Sequence, residues 1–461
     1  MNAERAIAVT ATLCPERLYH GWCVVAAAFL IALFGWGLGF YGPGIYLVAL
    51  QQQHGWSASE ISSAITAYYL TGATLILLLG GVFERWGARA VVAVGAIAMA
   101  CGVVLLTLIA CPWQIYGVFA VMALGWAAMS GAAVNIIIAP WFDKRRGLAV
   151  SLALNGASAG GVLIAPLLTF LISHAGFAAA LPRIAGLMLA IVLPAALLLR
   201  RKRPNERDRA DQSNDAPVRM PRGAAIEPAS RWRPSEVLRS ADFLTIAVSF
   251  SLGLMVQVGF LTHQVAYLSP RLGTVAAGWA VSLTTFSAII GRVVIGSFIE
   301  KVDCRMAAAG NFCVQVAGMS LLSANASITG LLLGCVLFGL GLGNLITLPG
   351  VIVQREFPKE HFARIVSLIV AINQFTFAFG PGLIGYLRQA QGDYAGALRA
   401  CLAAEAMAAI TVMTPPLWRG VARRLGSRRA ITSSPADHSA ATGEASTNCD
   451  SHLLRRFRAW R

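Results

Sequence analysis

The sequence predicts an all-α membrane protein with twelve transmembrane helices in two six-helix halves. Three observations predict it. Of the 461 residues, 57% are hydrophobic and only 13% charged, about half the charge of an ordinary soluble domain. Apolar runs recur from His20 to Trp418 with short polar breaks; at ~20 residues each, they are long enough to cross roughly 30 Å of hydrocarbon as helices. Two patterns also occur twice at nearly one offset. Gly80, Glu84, Arg85 and Arg89 follow the second run, and Gly296, Glu300, Lys301 and Arg305 follow the eighth in the same spacing. Arg146 and Asn155 in the fifth run are echoed by Arg364 and Asn373 in the eleventh.

A chain inside lipid must satisfy its backbone hydrogen bonds internally, as helices or as a closed barrel. Barrel strands would alternate with a period of two, whereas segments such as 90–108 are apolar all round. The predicted spans are 20–50, 58–83, 88–110, 112–139, 146–173 and 177–199, then 241–268, 275–299, 305–324, 328–352, 361–388 and 395–418. The first run is too long for a signal-peptide core and is expected to stay as a helix. The organisation is then a tail (1–19), a first half (20–199), a linker (200–240), a second half (241–418) and a basic tail (419–461). The linker is rich in Arg, Pro, Asp and Ser and cannot bury enough apolar surface to fold alone; a short surface helix is expected near Pro234–Arg239. The final tail is expected to be disordered, with a small basic patch at Leu453–Arg461. Pro381 should kink or soften the eleventh helix.

The net charge of +16 could point to nucleic acid, but its distribution points to a bilayer. Both tails, the linker and the segments 84–89, 143–146, 301–305 and 355–364 hold 32 of the 37 Lys and Arg residues. They alternate with the spans so that all fall on one side, as the positive-inside rule requires for cytoplasmic termini. This predicts a multi-pass protein of a bacterial inner (plasma) membrane, with lipid rather than nucleic acid beside its basic tails. The nine cysteines are scattered, without metal spacing, and read as small hydrophobes, not a disulfide framework. No phosphate-binding glycine loop, metal cluster or nucleophile–base pair appears, so neither an enzyme nor a cofactor is expected.

The Gly80–Arg89 loop resembles the signature between helices 2 and 3 of the major facilitator superfamily, with Glu84 where Asp is usual. The resemblance implies a cytoplasmic latch between the halves, carried by Glu84, Arg85, Arg89, Glu300, Lys301, Arg305, Arg145 and Arg146. Glu84 would face the start of helix 11 at Pro358, Lys359 and Glu360, where a helix dipole favours a carboxylate. A narrower resemblance covers most of the chain. Tyr19-His20-Gly21-Trp22, Tyr41-Gly42-Pro43-Gly44, Gly55-Trp56-Ser57, the run Trp141–Ala149 and the pair Gly291-Arg292 resemble the monocarboxylate-transporter group, in its prokaryotic, oxalate/formate antiporter-related branch. It implies a monomeric carrier of small organic anions, monocarboxylate-like, working by alternating access. Two positions depart from the animal carriers: Ala288 stands where they have an acid, and Gly44 where they have Lys. Both departures weigh against their mode of proton symport.

Arg292 is the sharpest residue, a charge predicted mid-way along helix 8. At that depth it costs at least about 2.5 kcal/mol and is expected to face a cavity. Its guanidinium matches a carboxylate in a fork of donors, the role the resemblance assigns to it. Tyr41, Tyr68, Tyr69, Asn155, Gln257, Gln264, Asn373 and Gln374 are the polar candidates to complete a substrate site; helix–helix hydrogen bonding is their alternative role. His263 and Glu405 are the candidates for proton coupling, His263 because it titrates near neutral pH. Helix 12 is expected at the periphery. An efflux permease for larger amphipathic compounds and a membrane sensor without flux stay open as rival readings.

Overall fold

The computed structural model describes residues 20–142, 145–199, 240–324, 327–358 and 361–432. The regular elements among them are all helical. Eleven stretches are long and apolar enough to cross a membrane, and one of these, Ala58–Leu105, is two spans joined at Gly87. Gly87 has φ 79°, a left-handed conformation that only glycine adopts readily. The twelve spans are α1 (His20–His54), α2 (58–86), α3 (88–105), α4 (Gln114–Ile138), α5 (Arg146–Ala175), α6 (Phe177–Leu197), α7 (Ala241–Leu272), α8 (Thr274–Phe298), α9 (Cys304–Ser323), α10 (Ile328–Glu356), α11 (Arg364–Gln391) and α12 (Ala395–Pro415). The predicted loop at 84–86 is helical, because nothing before Gly87 interrupts the backbone ladder. A second unit, Pro416–Arg461, is helical as far as Thr432, within the segment read as a disordered tail. Lys144, Lys359, Glu360, the tail 1–19, the surface helix of the linker and the patch Leu453–Arg461 lie outside the described residues.

Local chemistry sets the helix ends. Ser57 and Glu60 form a reciprocal capping box at the start of α2, with bonds of 3.2 and 2.9 Å; each satisfies an amide that the helix leaves unpaired. Ser240 caps α7, and the Asp303 carboxylate accepts from the amides of Arg305 and Met306 at the start of α9.

The duplication is visible in three dimensions. The turns between α5 and α6 and between α11 and α12 both pass through a positive-φ glycine, Gly176 and Gly392. Arg89 donates to the Leu197 carbonyl near the end of α6. Its echo Arg305 donates to the Val412 carbonyl on α12. The same bond therefore ties the third helix of each half to the sixth.

Five spans are interrupted, among them α4 at Met129–Ser130. α1 contains a π-helical turn at Gly37–Tyr41, and α5 another at Gly160–Ile164. α10 breaks at Gly343, and α11 at Ala378–Phe379, just before Pro381; a proline removes one helical donor and crowds the preceding turn. π turns leave backbone carbonyls short of partners, and in α1 these are served from α2. Tyr68 donates to the Gly39 carbonyl at 2.8 Å and Tyr69 to the Phe40 carbonyl at 3.2 Å.

Candidate substrate site and gates between the halves

Between the halves, three helix pairs pack at the end away from the 84–89 and 301–305 segments. On α1 and α7, Gly44 lies against the Thr262 carbonyl. On α2 and α11, the Gly382 amide donates to Thr66 Oγ1 at 3.0 Å. On α5 and α8, Ser282 Oγ donates to the Val162 carbonyl at 2.9 Å, while Gly278 makes room for Thr169 and Gly161 for Thr285. Arg388 of α11 also reaches the Gln51 side chain of α1 at 3.4 Å. Further along the same helices, toward the segments 84–89 and 301–305, Ser151, Leu152 and Asn155 of α5 are exposed, as are Val293 and Val294 of α8 and Arg364 and Ser367 of α11.

His263 sits in the packed end. Its Nε2 lies 3.1 Å from both Ser62 Oγ of α2 and the Pro381 carbonyl of α11. Its Nδ1 lies 3.1 Å from the Tyr394 hydroxyl. A carbonyl only accepts, so Nε2 carries the proton and Nδ1 accepts from Tyr394. Burial pushes the Tyr394 hydroxyl up to about 12, against the opposing pull of Arg388, so it is a proton donor at neutral pH. The Arg388 guanidinium in turn lies over the Tyr394 ring, 4.9 Å from its centroid.

Arg292 is half-buried and stands nearer the 301–305 end of α8 than the mid-way position predicted. Gly291 gives the backbone of α10 a close approach at Leu340, and the Arg292 guanidinium lies over Gly343, where a Cβ would stand 3.0 Å from Nε and Nη2. Across the halves it is in electrostatic contact with Tyr41 of the α1 π turn. Its Nε is buried and has no hydrogen-bond partner among the described residues. The site thus offers a cation with an unused donor, flanked by a phenol, at the meeting of α1, α8 and α10.

The other predicted residues divide. Tyr68 and Tyr69 are buried and bonded to the α1 turn. Gln264 is fully buried and donates to Thr284 at 2.8 Å, within its own half. Asn373 accepts from Ser251 at 2.8 Å and is buried, whereas its echo Asn155 is exposed. Gln257 is buried with an unbonded Oε1, and Gln374 is half-buried. Glu405 is fully buried, on one stripe of α12 with Cys401, Ala408 and Val412. Helix 12 turns this one stripe inward and leaves Met407 and Ile410 exposed on its other faces, the pattern expected of a helix at the periphery. Neither carboxylate oxygen of Glu405 has a hydrogen-bond partner among the described residues.

The proposed latch residues also divide. Glu84, Arg85, Arg145, Arg146, Glu300 and Lys301 are exposed, as is Arg89 with its bond to Leu197. Arg305 is different: it is buried in the second half. It donates to both carboxylate oxygens of Glu356 at 2.7 and 2.8 Å, to Thr245 at 3.0 Å, to Val412 at 2.9 Å and to the Asp242 backbone at 3.2 Å. One cation so joins α7, α9, α10 and α12. Its partners Asp242 and Glu356 carry no pattern in the sequence that links them to it. Among the cysteines, Cys304, Cys335 and Cys401 are buried as expected, but Cys101, Cys111 and Cys313 are exposed. Cys23 is disulfide-bonded, which corrects the reading of all nine as plain hydrophobes. No cluster of metal-binding side chains occurs among the described residues.

The family model of the Major Facilitator Superfamily matches residues 26–381. The chain belongs to the Major Facilitator Superfamily. It is a multi-pass membrane transporter, not an enzyme. Among curated relatives it is similar to monocarboxylate transporter 11 of Homo sapiens, 26% identical over 390 residues, covering 81% of this chain and 78% of the relative. It is similar to a comparable degree to the fujikurins efflux protein of Gibberella fujikuroi, 25% identical over 370 residues, covering 76% and 75%. Among solved structures, a mutant form of the nucleoside transporter NupG aligns with a TM-score of 0.66 at 14% identity, covering 86% of this chain and 99% of that one. This last likeness supports the fold alone.

Proposed function

We propose that the chain is a secondary active transporter for a small, monocarboxylate-like organic anion, with Arg292 as the carboxylate anchor. The observation that carries the reading is the half-buried guanidinium whose Nε has no partner among the described residues. A buried donor left unsatisfied costs about 1–3 kcal/mol, and a bound carboxylate would relieve that cost. Tyr41, Asn155 and Gln374 are the further side chains we assign to this site. The similarity to a human monocarboxylate transporter agrees with it.

We infer that the chain works as a monomer in a bacterial inner membrane, with both tails, the linker and the segments 84–89 and 301–305 in the cytoplasm. The packed end around His263 is then the outer gate, shut, and the structure is the inward-facing state of an alternating-access cycle. Glu84 and its neighbours would engage the start of α11 when the cycle reverses. Proton coupling would run through His263 or Glu405.

The test is counterflow of radiolabelled monocarboxylates in proteoliposomes. Arg292→Gln should lose at least about tenfold, the effect of one charge-assisted hydrogen bond; unchanged carboxylate transport would overturn the reading. The similarity to a fungal efflux protein favours a second reading, export of larger amphipathic compounds. That reading would show as counterflow of neutral amphipathic probes that is indifferent to Arg292→Gln.

A further inference from the structure

The Arg292 site adjoins a set of aromatic rings that its proposed role as an anion anchor does not use. Phe40 lies edge-on to Tyr41, with ring centroids 5.2 Å apart, and stacks on Trp126 at 6.0 Å. Trp36 meets the same Trp126 edge-on at 5.1 Å. Neighbouring residues on an ordinary helix do not face one another; here the wider π turn brings Phe40 and Tyr41 together. Tyr68 and Tyr69 fix that turn by bonding its carbonyls, so the rings are held in place before any ligand arrives.

Two features distinguish this group from plain core packing. Trp126 behind is buried at 4% exposure, yet Trp36 and Phe40 in front are half-exposed. The group also makes contact with the other half. Phe40 touches Tyr41, whose ring lies with Thr285 of α8 against Gly161, and Tyr69, which meets Phe377 of α11 at 5.6 Å. Through Tyr41 and Tyr69 the half-exposed rings thus reach α8 and α11 of the other half, and Arg292 lies about two turns further along α8 from Thr285.

We propose that the substrate is an aryl monocarboxylate, its carboxylate on Arg292 and its ring against Phe40 and Trp36. This rests on the carboxylate reading of the site and narrows it. A short hydrophilic acid would engage the cation but leave the ring faces in water. A neutral arene would cover the rings but leave the guanidinium donor unpaired. An aryl acid satisfies both, and aromatic pairs in offset or edge-to-face geometry gain beyond their area.

Equilibrium binding to the purified protein in detergent separates these cases, with benzoate, cyclohexanecarboxylate, lactate and phenol as probes. Benzoate should bind about three- to tenfold tighter than cyclohexanecarboxylate, which matches it in size and charge but has no ring face. Phe40→Leu should erase that preference, and Phe40→Tyr should restore it. Equal affinities for benzoate and cyclohexanecarboxylate in the unmutated protein would overturn the inference even if Phe40→Leu failed to fold. A preference that survives both Phe40→Leu and Trp36→Leu would overturn it as well. Arg292-dependent lactate binding without an aryl preference would sink the aryl inference alone and leave the carboxylate reading standing. Benzoate binding unaffected by Arg292→Gln would sink the carboxylate reading itself.

Discussion

Two arginines of the second half, Arg305 and Arg292, both read from the sequence as functional, and the structure treats them differently. Arg305 has a side chain only 2% exposed, and its donors reach Glu356, Thr245, Val412 and Asp242. Arg292 is less buried, and its buried Nε has no partner among the described residues. A buried charge with its donors satisfied holds helices together. A buried donor without a protein partner sits at a free-energy cost that a ligand can relieve. Partner saturation, more than depth, separates the two arginines, and on the reading proposed above it marks Arg292 as the binding charge.

The largest test of that contrast is Arg305→Ala. Removing one side of a buried ion pair leaves Glu356 uncompensated, at a cost of about 3–5 kcal/mol. Thermal unfolding in detergent should show a steep fall or complete loss of folded protein, and a variant as stable as the parent would break the comparison. Arg292→Gln should do the reverse, with the thermal midpoint within about 2 °C of the parent while substrate affinity falls at least about tenfold.

Gly343→Ala sharpens the picture at the same place. The added Cβ would stand 3.0 Å from the Arg292 guanidinium and 2.7 Å from the Ala288 carbonyl, so the guanidinium or α10 must shift. The substrate KM should rise several-fold, and the change should add nothing on top of Arg292→Gln; an additive double mutant would place the effect elsewhere. The smallest effect belongs to His263, which is fully partnered like Arg305. Ser62→Ala removes one hydrogen bond across the packed end, worth roughly 0.6 kcal/mol in a membrane bundle, or about threefold in the balance between closed and open. A cysteine probe at the neighbouring Ala58 should become more accessible to a polar thiol reagent, and unaltered labelling would remove Ser62–His263 from the gate.

Parts of the fold were legible for a simple reason. Crossing a bilayer demands ~20 apolar residues in a row, so the twelve spans stand out one by one. The predicted break at 84–87 narrows to Gly87 alone, because a chain of Glu, Arg and Trp continues a helix as readily as it forms a turn. The unusual charge of Arg292 was legible because few charges survive in an apolar run. The aromatic group was not: Trp36, Phe40 and Trp126 look like ordinary apolar residues, and only the π turn and the approach of α4 bring their rings together. Tyr68 and Tyr69 could be seen as inward-type residues, but not that the Gly39 and Phe40 carbonyls would occupy their hydroxyls.

The sequence alone determined the membrane class, the repeat that makes two halves, and the presence of one unusual cation on helix 8. These are properties of hydrophobic length, spacing and local charge, which need no neighbours to express. Only the tertiary structure decided which arginine is saturated and which is left with an unused donor. It also decided that His263 is bonded across the halves to Ser62 of α2. Those outcomes depend on contacts between residues as far apart as Ser62 and His263, and no spacing within a single helix encodes the partner that another helix will bring.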